Sequence, residues 1–431
     1  MRFQKLIANI LLDVLVVGMV LGSFSHASAA GKFSDISQSA WYYEPVSTLT
    51  GAGVISGYTD GTFRPGNYTT TGEAIKLVMS AGGYNVPMQT GTHWASGYLS
   101  YAGEQNFVDQ SITNPDLPIT RAATAKLMVS ALKLGQSNMV SPFSDTSDPY
   151  VVSLYAAGIA AGSYEQGQLV FRPDAPITRA EVCSLLFRIY TKDKLHYGSY
   201  YLDYHENLPV NTYRADAFTM RDGFMRYNER ETTIGIDVSY YQGSIDWQQV
   251  KNAGIDFAIL RLGYRGYSAG TLVEDERFRE YIAGASAVGI DVGIYFFSQA
   301  INVQEAQEEA YFVLDRLGDY MVRYPVMFDW EIIGNKPART DGLSTQTLTA
   351  CAKTFCDIIA NAGYTPGIYF TKYLGYVSYD LSQLSDYDFW FAEYSKAPSF
   401  YYNFDMWQYS DTASIPGIKG RVDMDICFKQ Y

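Results

Sequence analysis

The sequence predicts a multidomain chain, an α-helical repeat bundle followed by an irregular, TIM-like α/β barrel. Three observations lead there. The length of 431 residues exceeds one ordinary domain. A motif recurs through the segment 31–193. From Thr233 onward, short apolar strands alternate with helical stretches over about 200 residues, within the range of a βα barrel.

Composition narrows the partners. Lys plus Arg number 32 and Asp plus Glu 45, a net charge of −13 with no basic run, which argues against nucleic acid or an anionic membrane surface. The 37 tyrosines suit stacking on sugar rings as well as core filling.

Residues 1–29 read as a secretory signal. Arg2 and Lys5 precede an apolar run from Leu6 to Leu21, and Ala27-Ser28-Ala29 supplies small residues for cleavage. Asp13 breaks the run, which counts against a permanent span, and no other stretch is long and apolar enough to cross a bilayer. The mature protein is therefore expected outside the cell with no membrane span. Its four cysteines, Cys183, Cys351, Cys356 and Cys427, make no disulfide framework, with one bridge through Cys427 left open. No metal-ligand spacing appears, and no cofactor is expected.

The repeats come next. Phe33-Ser34-Asp35-Ile36, Gly53-Val54-Ile55-Ser56-Gly57-Tyr58 and Phe63-Arg64-Pro65 recur as Phe143-Ser144-Asp145-Thr146, Ala157-Gly158-Ile159-Ala160-Ala161-Gly162 and Phe171-Arg172-Pro173. A degenerate middle copy gives three units, about 33–84, 92–134 and 141–193. Each is too small to bury a core alone, so the units should pack together. Each closes on a shared element: Thr70-Thr71-Gly72-Glu73, Thr120-Arg121-Ala122-Ala123 and Thr178-Arg179-Ala180-Glu181. Thr-x-x-Glu before an apolar run is a helix capping box. The arginine has no such duty.

These repeats resemble S-layer homology domains, whose triplets hold exported proteins on secondary cell-wall polymers of bacteria. The resemblance implies polymer binding by Arg121 and Arg179, since a guanidinium fork fits a pyruvyl carboxylate. Thr71 stands where repeat one should carry the arginine, and Ala123 where repeat two should carry the glutamate, so at most two of three grooves are expected to be competent. Residues 194–232, rich in Tyr, Asp and Asn without clear periodicity, read as a linker with some local order.

The region 233–431 contains eight candidate strands: Ile234 to Ser239, Phe257 to Tyr264, Val292 to Ser298, Val326 to Glu331, Gly367 to Thr371, Phe389 to Tyr394, Met406 to Ser410 and Val422 to Phe428. Helical periodicity follows most of the first five, as in Val303 to Leu317 and Thr345 to Ala362, while short loops join the last three. Alternation places Asp329 and Glu331 together on one face at the end of the fourth strand, Asp237 inward on the first, and Asp423 and Asp425 inward on the last. Barrel closure then brings these acids to one cleft. Such crowding raises carboxyl pKa values, and a protonated acid beside an ionised one suits cleavage of a glycosidic bond. An oxygen-ligated divalent metal is the rival reading. The four histidines, His26, His93, His196 and His205, all precede Thr233, which argues against zinc or histidine-assisted nucleophiles there. Tyr295, Tyr369, Tyr394, Trp407 and Tyr409 lie on or near strand ends as candidate sugar platforms, with core packing the alternative for each. Arg261 is placed to pair with the acids and hold one ionised.

Gly235-Ile236-Asp237-Val238-Ser239 with Gly243-Ser244-Ile245-Asp246-Trp247, Tyr324-Pro325-Val326-Met327-Phe328-Asp329-Trp330-Glu331, Pro366-Gly367-Ile368-Tyr369, Trp390-Phe391-Ala392-Glu393-Tyr394, Trp407-Gln408-Tyr409 and Val422-Asp423 look like the motifs of glycoside hydrolase family 25, the muramidases. The resemblance spans Thr233 to Tyr431. It implies an irregular βα barrel that hydrolyses the β-1,4 bond between N-acetylmuramic acid and N-acetylglucosamine of peptidoglycan. By the same resemblance Glu331 is the acid/base, Asp329 the second key carboxylate, and Asp237 and Asp423 supporting acids. The expected whole is a secreted, wall-anchored peptidoglycan hydrolase. An inactive wall-anchored scaffold or another surface glycanase is the alternative.

Overall fold

The structure, a computed structural model, describes residues 33–86, 93–334 and 336–431, so the expected signal segment lies outside the described residues. Two compact units divide the chain between Asp203 and Tyr204.

Among the described residues, the N-terminal unit holds six helices in three pairs: α1 (Tyr43–Gly51) with α2 (Thr71–Ala81), α3 (Ser96–Glu104) with α4 (Arg121–Ala131), and α5 (Pro149–Ala156) with α6 (Arg179–Thr191). Their entries follow from the shared Thr-x-x-Glu element. Thr70 and Glu73 close a full capping box on α2, as do Thr178 and Glu181 on α6, whereas Thr120 caps α4 through Ala123 N–H alone. The residue before each cap ties the copies into a ring: Thr69 N–H donates to Ile177 O (2.9 Å), Ile177 N–H to Ile119 O (3.2 Å), and Ile119 N–H to Thr69 O (3.0 Å). One core, including Val46, Ile75, Met128, Leu154 and Leu186, serves all three pairs. No single helix pair could enclose it.

The second unit is built on a closed eight-stranded barrel: β1 (Thr233–Val238), β2 (Phe257–Arg265), β3 (Asp291–Ser298), β4 (Val326–Trp330), β5 (Pro366–Thr371), β6 (Asp388–Ala392), β7 (Met406–Ala413) and β8 (Val422–Cys427). Neighbours pair in chain order and β8 closes on β1. Pairings are parallel from β1 to β7, but β8 runs antiparallel to both neighbours. A short loop suffices for that reversal, whereas a parallel return needs a longer crossover. Four helices supply the early crossovers: α7 (Trp247–Asn252), α8 (Phe278–Ala287), α9 (Val303–Leu317) and α10 (Thr345–Asn361). An edge strand absent from the sequence expectation, Leu272–Glu274, pairs antiparallel with the end of β2.

Phe257, Ile259, Met327, Met406 and Cys427 fill the barrel interior. Space there is tight enough that a Cβ on Gly367 would lie 2.3 Å from Met327 Sδ. On its outer face, β7 has no helix. The segment 204–232 covers that face instead, through the hairpin Phe218–Arg221 with Phe224–Tyr227. Phe218 meets Trp407 edge-on at 5.1 Å, Tyr213 stacks on Phe428 at 4.2 Å, and Tyr213 OH donates to Phe404 O at 2.9 Å. This part of the expected linker is therefore packed structure of the barrel unit, while the hairpin Leu195–Tyr197 with Tyr200–Leu202 lies in the N-terminal unit. All four cysteines are buried free thiols, so the bridge left open at Cys427 does not form. No helix among the described residues is long and apolar enough to cross a membrane.

Candidate active site

Strand alternation sets the direction of each acid at the barrel mouth. Met327 points into the barrel core, so Asp329, two residues on, does too, and Glu331 follows just past the end of β4. Across the mouth, Asp423 on β8 is the direct cross-strand partner of Asp237 on β1, and Asp425 pairs with Gly235 one step below. Asp237, Asp329 and Asp425 are buried, and Glu331 and Asp423 are partly open to solvent.

Their titration reports their proximity. Burial raises the Glu331 carboxyl, and Asp423 raises it further. Asp329 is pushed well above the carboxylate range by burial and then by Glu331, with Arg261 opposing. Burial, Asp423 and Asp425 raise Asp237 likewise. Asp423 is raised to about 6 by burial and by Asp411. Carboxyls from β1, β4 and β8 therefore share one field, in which burial and neighbouring carboxylates raise each of them.

Neutral donors orient the cluster. Gln408 Nε2 donates to Asp237 Oδ2 at 2.7 Å, while its Oε1 accepts from Tyr369 OH (3.0 Å) and Tyr394 OH (3.1 Å). Trp390 Nε1 donates to Asp425 Oδ1 at 2.8 Å. Asp329 Oδ1 is buried with no hydrogen-bond partner. Gln408 and Trp390 stood in recognised motifs without an assigned role, and only the register across β6, β7 and β8 reveals one.

Of the aromatic candidates, Tyr295, Tyr369 and Tyr394 line the mouth. Tyr295 sits opposite Arg261 on β2, and the half-exposed Tyr394 stands at the rim. Trp407 does not join them. Gln408 points inward, so its neighbour Trp407 points out, fully buried under Phe218 with Nε1 donating to Glu393 O at 2.9 Å. Tyr409 shares that outer face, where its hydroxyl accepts from Met225 N–H at 3.3 Å. The expected sugar contact at Trp407 is thus replaced by core packing. Arg261 is also corrected: its Nε donates to Asp275 at 2.8 Å rather than to one of the mouth acids, although its charge still lowers Asp329. Asp275 follows the unexpected edge strand, and nothing local in the sequence marks it as a partner.

In the N-terminal unit the two motif arginines each reach into another repeat. Arg179 Nε donates to Phe63 O at 2.9 Å and Nη1 lies 3.6 Å from Glu73, its guanidinium over the Tyr58 and Phe63 rings. Arg121 repeats this one step round, with Nε on Phe171 O (2.9 Å) and Nη1 on Glu181 (2.9 Å). Two grooves result. One of about 360 Å³ is lined by Tyr58, Lys76, Trp94 and Arg179, and one of about 190 Å³ by Trp41, Arg121 and Arg188. In the same cyclic order, the position of Thr71 faces that of Ala123. The two departures from the motif therefore remove both halves of one ion pair rather than crippling two grooves. A further cleft, about 620 Å³, is lined along α3 by His93, Glu104 and Asp109 and includes neither Thr71 nor Ala123.

Comparison with known proteins agrees with both halves. Residues 236–418 match the family model of glycosyl hydrolases family 25, and residues 32–75 and 140–183 that of the S-layer homology domain. The middle helix pair is not among the matched residues. The chain is 26% identical over 193 residues to the autolytic lysozyme of Clostridium acetobutylicum, covering 44% of this chain and 54% of that protein. It is 28% identical over 204 residues to lysozyme M1 of Streptomyces globisporus, covering 44% and 65%. The chain thus spans about half to two thirds of the length of these relatives. The middle cell wall protein of Brevibacillus brevis is 30% identical over 117 residues, 27% of this chain and 10% of that one. Among solved structures, the lysozyme of Streptomyces coelicolor superposes with a TM-score of 0.38 at 24% identity, covering 47% of this chain and 94% of that one. The barrel thus carries the match to glycosyl hydrolases family 25, and two segments before it carry the match to the S-layer homology domain.

Proposed function

We propose that the protein is a cell-wall-anchored peptidoglycan hydrolase, an N-acetylmuramidase, acting outside the cell. The observation that carries this reading is the convergence of Glu331, Asp329, Asp237 and Asp423 at one rim of the barrel. Glu331, its carboxyl pushed up by burial and by Asp423, donates a proton to the leaving glycosidic oxygen and later takes one from water. Asp329 lies deeper, beside Arg261's charge, and stabilises the oxocarbenium ion on the adjacent carbon. Tyr295, Tyr369 and Tyr394 form the wall against which a pyranose ring stacks, and Gln408 holds Asp237 from below. Glu331→Gln tests the assignment: release of reducing ends from purified walls should fall by about 10²- to 10⁴-fold, the range of general acid catalysis. Near-normal release excludes Glu331 as the acid.

We read the middle helix pair as a third, degenerate S-layer homology repeat, because it makes the same ring bonds as its neighbours. Anchoring belongs to the grooves of Arg121 and Arg179, where a second cation and a tryptophan accompany each arginine. An acidic secondary wall polymer fits them. Full-length Glu331→Gln protein should sediment with purified walls, and adding Arg121→Ala and Arg179→Ala should release it. Equal retention would remove the anchoring role.

A further inference from the structure

Glu331 lies one residue beyond β4, where the ladder that fixes the strand has ended. Its peptide carbonyl nevertheless has a partner, Gln299 Nε2, at 3.1 Å. Gln299 directly follows β3 and is fully buried. Its side-chain Oε1 accepts from Thr340 Oγ1 at 2.7 Å, its peptide oxygen accepts from Arg339 Nη1 at 3.3 Å, and its peptide N–H donates to the Glu309 carboxylate. Arg339 is in turn gripped by both oxygens of Glu305, at 2.8 and 2.7 Å, and its own N–H donates to Tyr267 O at 2.8 Å. The loops that follow β2, β3 and β4 are thus fastened to one another at a single buried amide.

The Glu331 carbonyl, which can only accept, fixes the orientation of this amide: turning it over would set its oxygen against that carbonyl, two acceptors face to face, and its NH₂ against Thr340 Oγ1. We propose that Gln299 is a positioning residue for Glu331. The chain Thr340–Gln299–Glu331 fixes the peptide that carries the acid and so aims its carboxyl into the mouth, with no contact between Gln299 and substrate. Misplacing a reacting group by about 1 Å costs on the order of 10²-fold in rate, so the effect belongs in kcat. The inference rests on Glu331 being the acid.

The test uses the full chain on soluble glycan fragments from peptidoglycan, with Gln299→Leu, Thr340→Val and Glu331→Gln side by side. Gln299→Leu should lower kcat by about 30- to 100-fold with KM held within about twofold. Thr340→Val keeps the amide and removes only the group that orients it, and should lower kcat by roughly 3- to 10-fold. If Gln299→Leu does not fold, Thr340→Val decides alone. A folded variant with wild-type kcat, or one whose loss lies wholly in KM, overturns the proposal. If Glu331→Gln abolishes activity while the other two leave kcat intact, only the positioning role falls. If Glu331→Gln retains activity, the assignment of the acid itself fails.

Discussion

The two units treat buried charge in opposite ways. In the N-terminal unit each groove arginine reaches a glutamate from another repeat, Arg179 to Glu73 and Arg121 to Glu181. At the barrel mouth carboxyls face carboxyls, and the guanidinium beside them is taken up by Asp275. A buried pair holds its surroundings together as long as both partners stay. A like-charged cluster weakens its surroundings but keeps protons available near neutral pH. The difference separates two roles: the crowded acids are the proposed reactive end, and the paired grooves are joints between repeats that also present cations.

Neutralising one member should therefore have opposite effects on stability in the two places. Glu331→Gln carries the largest expected change, a loss of about 10²-fold or more in glycan cleavage, with no drop in Tm because one repulsive partner of Asp423 has gone. A clear fall in Tm breaks the comparison even if activity is lost. Arg179→Met should destabilise the N-terminal unit by about 1.5 to 3 kcal/mol, since it removes a buried guanidinium's bond to Phe63 O and its pairing with Glu73 across two repeats. Denaturant unfolding measures it, and a change below about 1 kcal/mol, the worth of an exposed pair, denies that the pair is a joint.

Much of this was legible in the sequence because it depends on local period. Eight strands, the inward direction of Asp237, Asp329, Glu331, Asp423 and Asp425, and the capping role of Thr70, Thr120 and Thr178 all follow from spacings of two or three residues. Trp407 shows the limit. On β7 both faces are apolar, Met406 toward the barrel core and Trp407 toward the Phe218 hairpin, so alternation gives two faces without saying which is inside. The covering segment is itself aperiodic, which is why it read as a linker. Asp275, Gln299 and the cyclic pairing of the grooves depend on chain segments distant in sequence, and no local pattern encodes those meetings.

Acid should separate the units again. In the barrel, Asp423 is raised to about 6 and Glu331 is raised too, so the folded state binds more protons than the unfolded one, and stability falls as pH climbs from about 4 to about 6. In the N-terminal unit the sign reverses. Asp60 is lowered to about 2 by the Thr62 hydroxyl and Arg64, and the amides of Phe171 and Arg172 hold Asp145 low against a burial that pushes it up. That stabilisation is present above about pH 4, the unfolded value, and is lost as pH drops toward 2. Calorimetry of the whole chain should show the barrel transition rising between pH 7 and 5 while the other stays, and the other falling between pH 4 and 2. The Arg179→Met variant assigns the transitions. A barrel transition that falls between pH 7 and 5 contradicts the crowded-acid picture.

The smallest effect, and the sharpest use of the comparison, lies where the arginine–glutamate pair is missing. Thr71 and Ala123 occupy there the places that Arg179 and Glu73 hold in the neighbouring groove, and Thr71 Oγ1 already satisfies itself on Leu117 O at 3.1 Å. Thr71→Arg alone brings a cation into an interface with no carboxylate to receive it, and should destabilise the unit. Ala123→Glu alone completes the α4 capping box with Thr120, which is worth roughly 1 kcal/mol. The double variant should exceed the sum of the singles by about 0.5 to 3 kcal/mol, the coupling expected of residues in contact. It should also raise adsorption to walls, because a third arginine then faces solvent across a groove. Additive singles would mean that the cyclic order of arginine and glutamate is incidental to the ring. Coupling without added adsorption would mean that the pair serves only as a joint between repeats.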